Sequence, residues 1–216
     1  MHKLTFASPT LLRRTLLACP LALLASRGFA ATDAAGYVTR VRGEAMLQLN
    51  DQARGLALGQ ALPQGARIRT GTDARLEARM QDGTLLTLGA NTEFVVAAVA
   101  RGGAARFELL KGAFRALTGK TAGEAANSWQ VRTPVAVIGV RGTELWGGFD
   151  LLNSGAQTLD VVMLEGHGVW VQNDQGTTEL ARPLDGTTVA GASAIPAPLK
   201  PWGEKKLNAA IATVSW

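Results

Sequence analysis

An arginine set among valines is the residue whose type first asks for chemistry. Arg141 follows Val135, Val137, Ile138 and Val140 in the run Val131 to Phe149, VRTPVAVIGVRGTELWGGF, where a core strand would be apolar. A buried guanidinium without a partner is very costly, so the position calls for a carboxylate or several carbonyls. Glu165, inside the otherwise apolar VVMLEGHGVWV (161–171), is the natural candidate. Arg141 and Glu165, or Arg141 and another nearby acid, are therefore expected to form a buried ion pair that fixes strand register, with a ligand anchor as the competing role. Trp129, Trp146 and Trp170 offer a second chemistry, an aromatic platform for a protein partner or a glycan. The alternative is that they are large core residues with the indole N–H satisfied. His167, between two glycines, reads as an exposed turn residue, and one histidine does not make a metal site.

The inventory is shortened further by the start of the chain. Lys3, Arg13 and Arg14 give a basic start, Leu16 to Ala25 is apolar, and Gly28-Phe29-Ala30 supplies the small residues a signal peptidase reads. That apolar run is too short to span a bilayer permanently. Residues 1–30 are thus expected to be a cleaved export signal. Arg13-Arg14 leaves both the Sec and the twin-arginine routes open. Leu16-Leu17-Ala18-Cys19 has the look of a lipoprotein box, but it lies too close to the arginines and the apolar run continues past it.

The signal would carry off Lys3, Arg13, Arg14 and Arg27, four of 22 basic residues, leaving 18 against 17 acidic ones and a net charge of +1. No basic run remains that would suggest nucleic acid or an anionic membrane as partner. It would also remove Cys19, the only cysteine, and His2, so the exported chain would be held by its core rather than by disulfides. Thiol catalysis, a Ser-His-Asp triad and cysteine or multi-histidine zinc sites are nearly excluded by this inventory. Nothing in the spacing of the acids identifies a hydrolytic carboxylate pair. No cofactor is expected.

The elements that must position these residues are short strands. Thr133-Pro134 enforces an extended entry to the central run, and Gly139 and Gly142 suggest a bulge or a close backbone approach. In Ala74 to Gln81, Leu76, Ala78 and Met80 alternate with Arg75, Glu77 and Arg79, and Asp82-Gly83 then suits a two-residue hairpin turn into Thr84 to Leu88. Further strands are expected at 38–49 (broken at Gly43), 66–70, 94–98, 107–117 (broken at Gly112) and 177–181. Residues 158–172 read as two strands separated by Gly166-His167-Gly168. Residues 118–127 read as an exposed loop and 153–157 as a turn. This pattern predicts an all-β domain over 31–190, a twisted β-sandwich or short β-solenoid. Beyond it, residues 191–216 form a Pro-rich linker and a short amphipathic tail, with Leu207, Ala210, Ile211 and Val214 on one helical face.

Residues 37–190 resemble the FecR-like periplasmic domain family. The resemblance is carried by the Leu58-Gly59 to Thr70 passage, the Asp82-Gly83 hairpin, Val140-Arg141-Gly142-Thr143, and Leu164-Glu165-Gly166 some twenty residues later. It implies an exported all-β module engaged in protein–protein signalling, with no catalytic residues to carry over. In the best-known members this module follows a cytoplasmic sigma-factor-regulating segment and a membrane helix, whereas here a cleavable leader is expected instead. The leading expectation is thus a non-enzymatic periplasmic or secreted interaction module that contacts an envelope protein. A carbohydrate- or cell-wall-binding module is the alternative.

Overall fold

The computed structural model describes residues 34–101, 104–118, 129–155 and 157–216. The expected leader lies outside them, as does most of the loop expected at 118–127. The chain begins with β1 (Ala34–Arg42), turns at Gly43 into β2 (Ala45–Leu49), and returns along β3 (Gln52–Gly55). Two short strands follow, β4 (Ala61–Pro63) and β5 (Ala66–Thr70). The strict alternation after Ala74 forms β6 (Arg75–Met80), with Leu76, Ala78 and Met80 buried. It pairs with β7 (Leu85–Leu88) in the predicted hairpin. The loop holds three residues rather than two, because the Met80 N–H donates to the Thr84 carbonyl and leaves Gln81, Asp82 and Gly83 between the strands. Asp82 is buried in that loop, where it accepts from the Thr84 N–H and hydroxyl at 3.0 and 2.7 Å.

The second half is built around two long strands. After β8 (Glu93–Val99), β9 (Ala105–Lys111), β10 (Ala113–Leu117) and β11 (Trp129–Arg132) come β12 (Val137–Phe149) and, past a 3-10 turn at Leu151–Asn153, β13 (Leu159–Asn173). Then come β14 (Gly176–Leu180), β15 (Asp185–Val189), β16 (Lys200–Pro201) and one helix, α1 (Glu204–Val214). Residues 158–172 are therefore not two strands. Gly166 and Gly168 sit within the single fifteen-residue β13, which pairs with β12 along most of its length.

The expectation of an all-β chain with a short C-terminal helix is met, in the form of one curled sheet. Its strands run β3-β2-β5-β8-β9-β11-β12-β10-β7-β6-β1-β4, with β13 to β16 branching from β12. All neighbours are antiparallel except β9 and β11. The curl brings the two ends of this path toward each other. Gln48, Leu49 and Asp51 from one end, and Ala61 and Pro63 from the other, line a groove of about 840 Å³.

The concave face holds the main core. Phe94, Phe107 and Phe114 are fully buried with Trp129, and successive ring centroids lie 5.3–5.8 Å apart. Such tilted aromatic pairs add about 0.5–1.5 kcal/mol each beyond simple burial. A smaller cluster forms on the other side of β10, β12 and β13, where α1 lays Ala210 and Val214 over Trp146, Val162 and Trp202. Several polar contacts hold the helix there. The Trp146 indole N–H donates to the Thr213 hydroxyl at 2.9 Å, and Lys206 meets the buried Asp160 at 2.5 Å. Arg75 of β6 donates to the carbonyls of Ala212 and Ser215, satisfying groups that a helix C-terminus leaves open. The Pro-rich passage also packs on the body: the Thr178 and Thr187 hydroxyls donate to the Ala197 carbonyl, and β16 pairs with β15.

Candidate functional site

The residues singled out from the sequence converge where β12 and β13 cross the end of β10, but in roles other than those expected. Arg141 opposes Gly168, and Glu144 opposes Glu165. Arg141 and Glu165 are both exposed, and no ion pair joins them. The expected buried strut is thus corrected. Arg141 follows Val140, which is buried, so the alternation of the strand turns the guanidinium outward to solvent. The all-β architecture does not depend on it.

The neighbouring residues of the same motif do the structural work. Gly142 has φ of 53° and Gly166 φ of 116°, both in the region that favours glycine. A Cβ on Gly166 would stand 2.5 Å from the Gly142 carbonyl oxygen. Thr143, buried between them, places its hydroxyl 2.7 Å from the Arg141 carbonyl and 3.0 Å from that of Gly168, and accepts from the Gly168 N–H at 3.3 Å. On its other side the Thr143 N–H donates to the Thr118 hydroxyl at 2.9 Å, which donates to the Thr143 carbonyl at 3.0 Å. One threonine thereby ties β12 to β13 and to the end of β10. Just beyond, pairing shifts register between Glu144 and Leu145, as a bulge at Leu164 requires.

Glu144 is not left to repel Glu165 across the strands, because the Arg115 guanidinium on β10 pairs with it. Around these residues lies a groove of about 730 Å³, with Leu117, Glu144, Glu165, His167 and Pro183 on its walls. His167 is exposed, as expected, although within a strand rather than a turn. Glu165 makes no ion pair within the described residues, and Leu117 keeps 48% of its surface in solvent. The wall is acidic with an apolar edge.

The three tryptophans part company. Trp129 and Trp146 are fully buried, Trp129 donating its N–H to the Thr84 hydroxyl at 3.1 Å, so neither belongs to a surface platform. Both are core residues with satisfied indoles. Trp170 is half-buried on the outer face of β13 and lies against Gly139, where an added Cβ would come within 2.0 Å of its ring. Gly139 is the close approach that the motif suggested.

Other residues that matter here carried little signal. Thr143 looked like any threonine, and only its place between two special glycines could have marked it. Glu93, mostly covered, accepts from Arg67 at 2.6 Å and Arg69 at 3.2 Å. Burial alone would raise its pKa, but the hydrogen bonds from Arg69 and Arg67 outweigh it and hold the carboxyl below its ordinary value.

This arrangement of strands and motif has counterparts. The model of the FecR protein family matches residues 66–167, from β5 into β13. Over this stretch the chain is similar to FecR proteins. The stretch contains Gly142, Thr143 and the groove residues Leu117, Glu144, Glu165 and His167, while Gly168 and Pro183 lie past its end. Two crystal structures of a candidate anti-sigma factor from Parabacteroides distasonis, at 1.65 and 2.50 Å resolution, share the fold of this chain. Each has a TM-score of 0.53, with 16% and 17% sequence identity, and the match covers 66% of this chain. It spans 62% of the length of those chains, less than two thirds. No curated protein sequence matches the chain. Among the described residues, no helix is long and apolar enough to cross a membrane.

Proposed function

We propose that this protein is an exported sensory module that acts by binding another protein of the cell envelope, without catalysing a reaction. The observation that carries this reading is the FecR match, which falls on the strands that form the groove and its tie. The fold shared with a candidate anti-sigma factor supports a place in signalling. The basic, apolar and small-residue order of residues 1–30 supports export. The groove suits a protein contact: Leu117 offers an exposed apolar anchor beside the acids Glu144 and Glu165, a combination that selects a segment with apolar and basic side chains.

Cross-linked pull-down from the periplasmic fraction, read by mass spectrometry, tests this. One reproducible envelope protein is expected with the wild-type chain. The double variant Leu117→Asp, Glu165→Lys should lose that protein while keeping its melting temperature, because both side chains are exposed. Recovery of the chain from the cytoplasm with its leader intact, or equal capture by the variant, would overturn the reading.

A further inference from the structure

We propose that the outer face of β11, β12 and β13 is a platform for an acidic saccharide, with Trp170 as the surface on which a sugar ring stacks. Strand register places Glu179, Trp170, Gly139, Gln130 and Arg106 in one row across β14, β13, β12, β11 and β9. Their neighbours Val169, Val171, Ile138, Val140, Trp129 and Val131 are buried, so this row turns away from the core. The Trp170 ring rests on the bare backbone of Gly139, and the residue keeps part of its surface in solvent. Its indole N–H makes no hydrogen bond within the described residues. A second glycine, Gly168, stands beside it in β13 with no atom closer than 4.0 Å to where its Cβ would be. The space next to the ring is thus open.

The rim decides the class of ligand. Arg141 lies two residues from Gly139 on one side, and Arg132, opposite Val137, lies two residues away on the other. Strand rise puts each about 7 Å along the sheet from the ring. Among the described residues, the Arg106, Arg132 and Arg141 side chains enter no ion pair; the acids nearby are Glu179, in the row itself opposite Trp170, and Glu108, opposite Arg132. Three guanidinium groups against two carboxylates favour an anionic ligand, and each can grip a carboxylate with two parallel hydrogen bonds. A protein hot spot sits in a well-packed pocket ringed by contacts that exclude water. Here the exposed large apolar side chains among the described residues, Leu117 and Leu199 included, lie off this row. A flat indole ringed by planar polar side chains matches the apolar face and hydroxyl edge of a sugar.

Isothermal titration of the purified chain with oligogalacturonate and with the neutral maltohexaose tests this. Oligogalacturonate is expected to bind, and maltohexaose at least ten-fold more weakly. Trp170→Ala should weaken oligogalacturonate binding ten-fold or more, and the pair Arg132→Ala, Arg141→Ala several-fold with a shallower salt dependence. Gly139→Ala, whose methyl would displace the ring, should also weaken it. Trp170→Phe keeps an aromatic ring on Gly139 and should retain binding within a few-fold, separating loss of the platform from loss of the fold. Absence of oligogalacturonate binding, or wild-type binding by Trp170→Ala, would overturn the platform. Equal binding of maltohexaose would overturn the acidic class. Protein capture at the groove is unaffected by any of these outcomes, so the two readings fail separately.

Discussion

Thr143 joins β12 to β13 through its hydroxyl and to the end of β10 through its backbone, between two glycines in positive-φ conformations. A Cβ on Gly166 meets backbone that cannot retreat, so Gly166→Ala should cost about 1–3 kcal/mol, the range for a residue forced into a sparse backbone region. Arg141→Ala, one residue from the same tie, should change stability by less than about 0.5 kcal/mol because its side chain is solvated. Urea denaturation of the two variants checks both, and the contrast is the reverse of what a buried strut would produce. Glu93 supplies a pH signature. Its folded-state pKa lies below the ordinary 4.5, so its stabilisation is fully present above that value and is lost as pH falls through the folded one. Wild type should therefore exceed Glu93→Gln in urea midpoint at pH 6, and the gap should close as the pH falls through the lowered pKa of Glu93. High salt should narrow it too, since Arg67 and Arg69 are half exposed.

At the scale of elements, α1 is held by a charge that cannot easily lose its partner. Asp160 is 1% exposed and receives Lys206 at 2.5 Å and the Thr188 hydroxyl at 2.5 Å. Lys206→Met leaves a buried carboxylate half-compensated and should cost about 3 kcal/mol, near the low end for breaking a buried pair. Adding Asp160→Asn should recover part of that loss, a non-additivity that a double-mutant cycle in urea measures. Legibility in the sequence also differed by element. The hairpin of β6 and β7 was plain because its apolar residues alternate without interruption, and α1 because four apolar residues share one face. The fifteen residues of β13 were not, since Gly166 and Gly168 look like a break when they serve a bulge and an open shelf. For the same reason Arg141 read as buried: sequence shows that a strand is apolar, but register alone settles which way each side chain faces. The fates of the tryptophans depend on contacts from distant strands and from α1, and no local pattern separates Trp146, under the helix, from Trp170, on the open face.

For the whole molecule, the start of β1 bears on the proposed export signal. Ala34 already pairs with Pro63, and the Gln81 N–H donates to the Ala35 carbonyl. Cleavage after Ala30 would therefore leave β1 fully paired. Intact-mass measurement of the exported chain should give a first residue of Ala31, and a cut within β1 would contradict the export reading. The curl of the sheet has a further meaning for anyone who would shorten this protein. The family match starts at Ala66 and stops at His167, yet β1 is what pairs with β6, β2 with β5, and β15 with the first part of β13. A piece trimmed to the matched residues would bare three raw strand borders and the indole beneath α1, inviting self-association. The matched stretch is shorter than the sheet whose strands complete its edges.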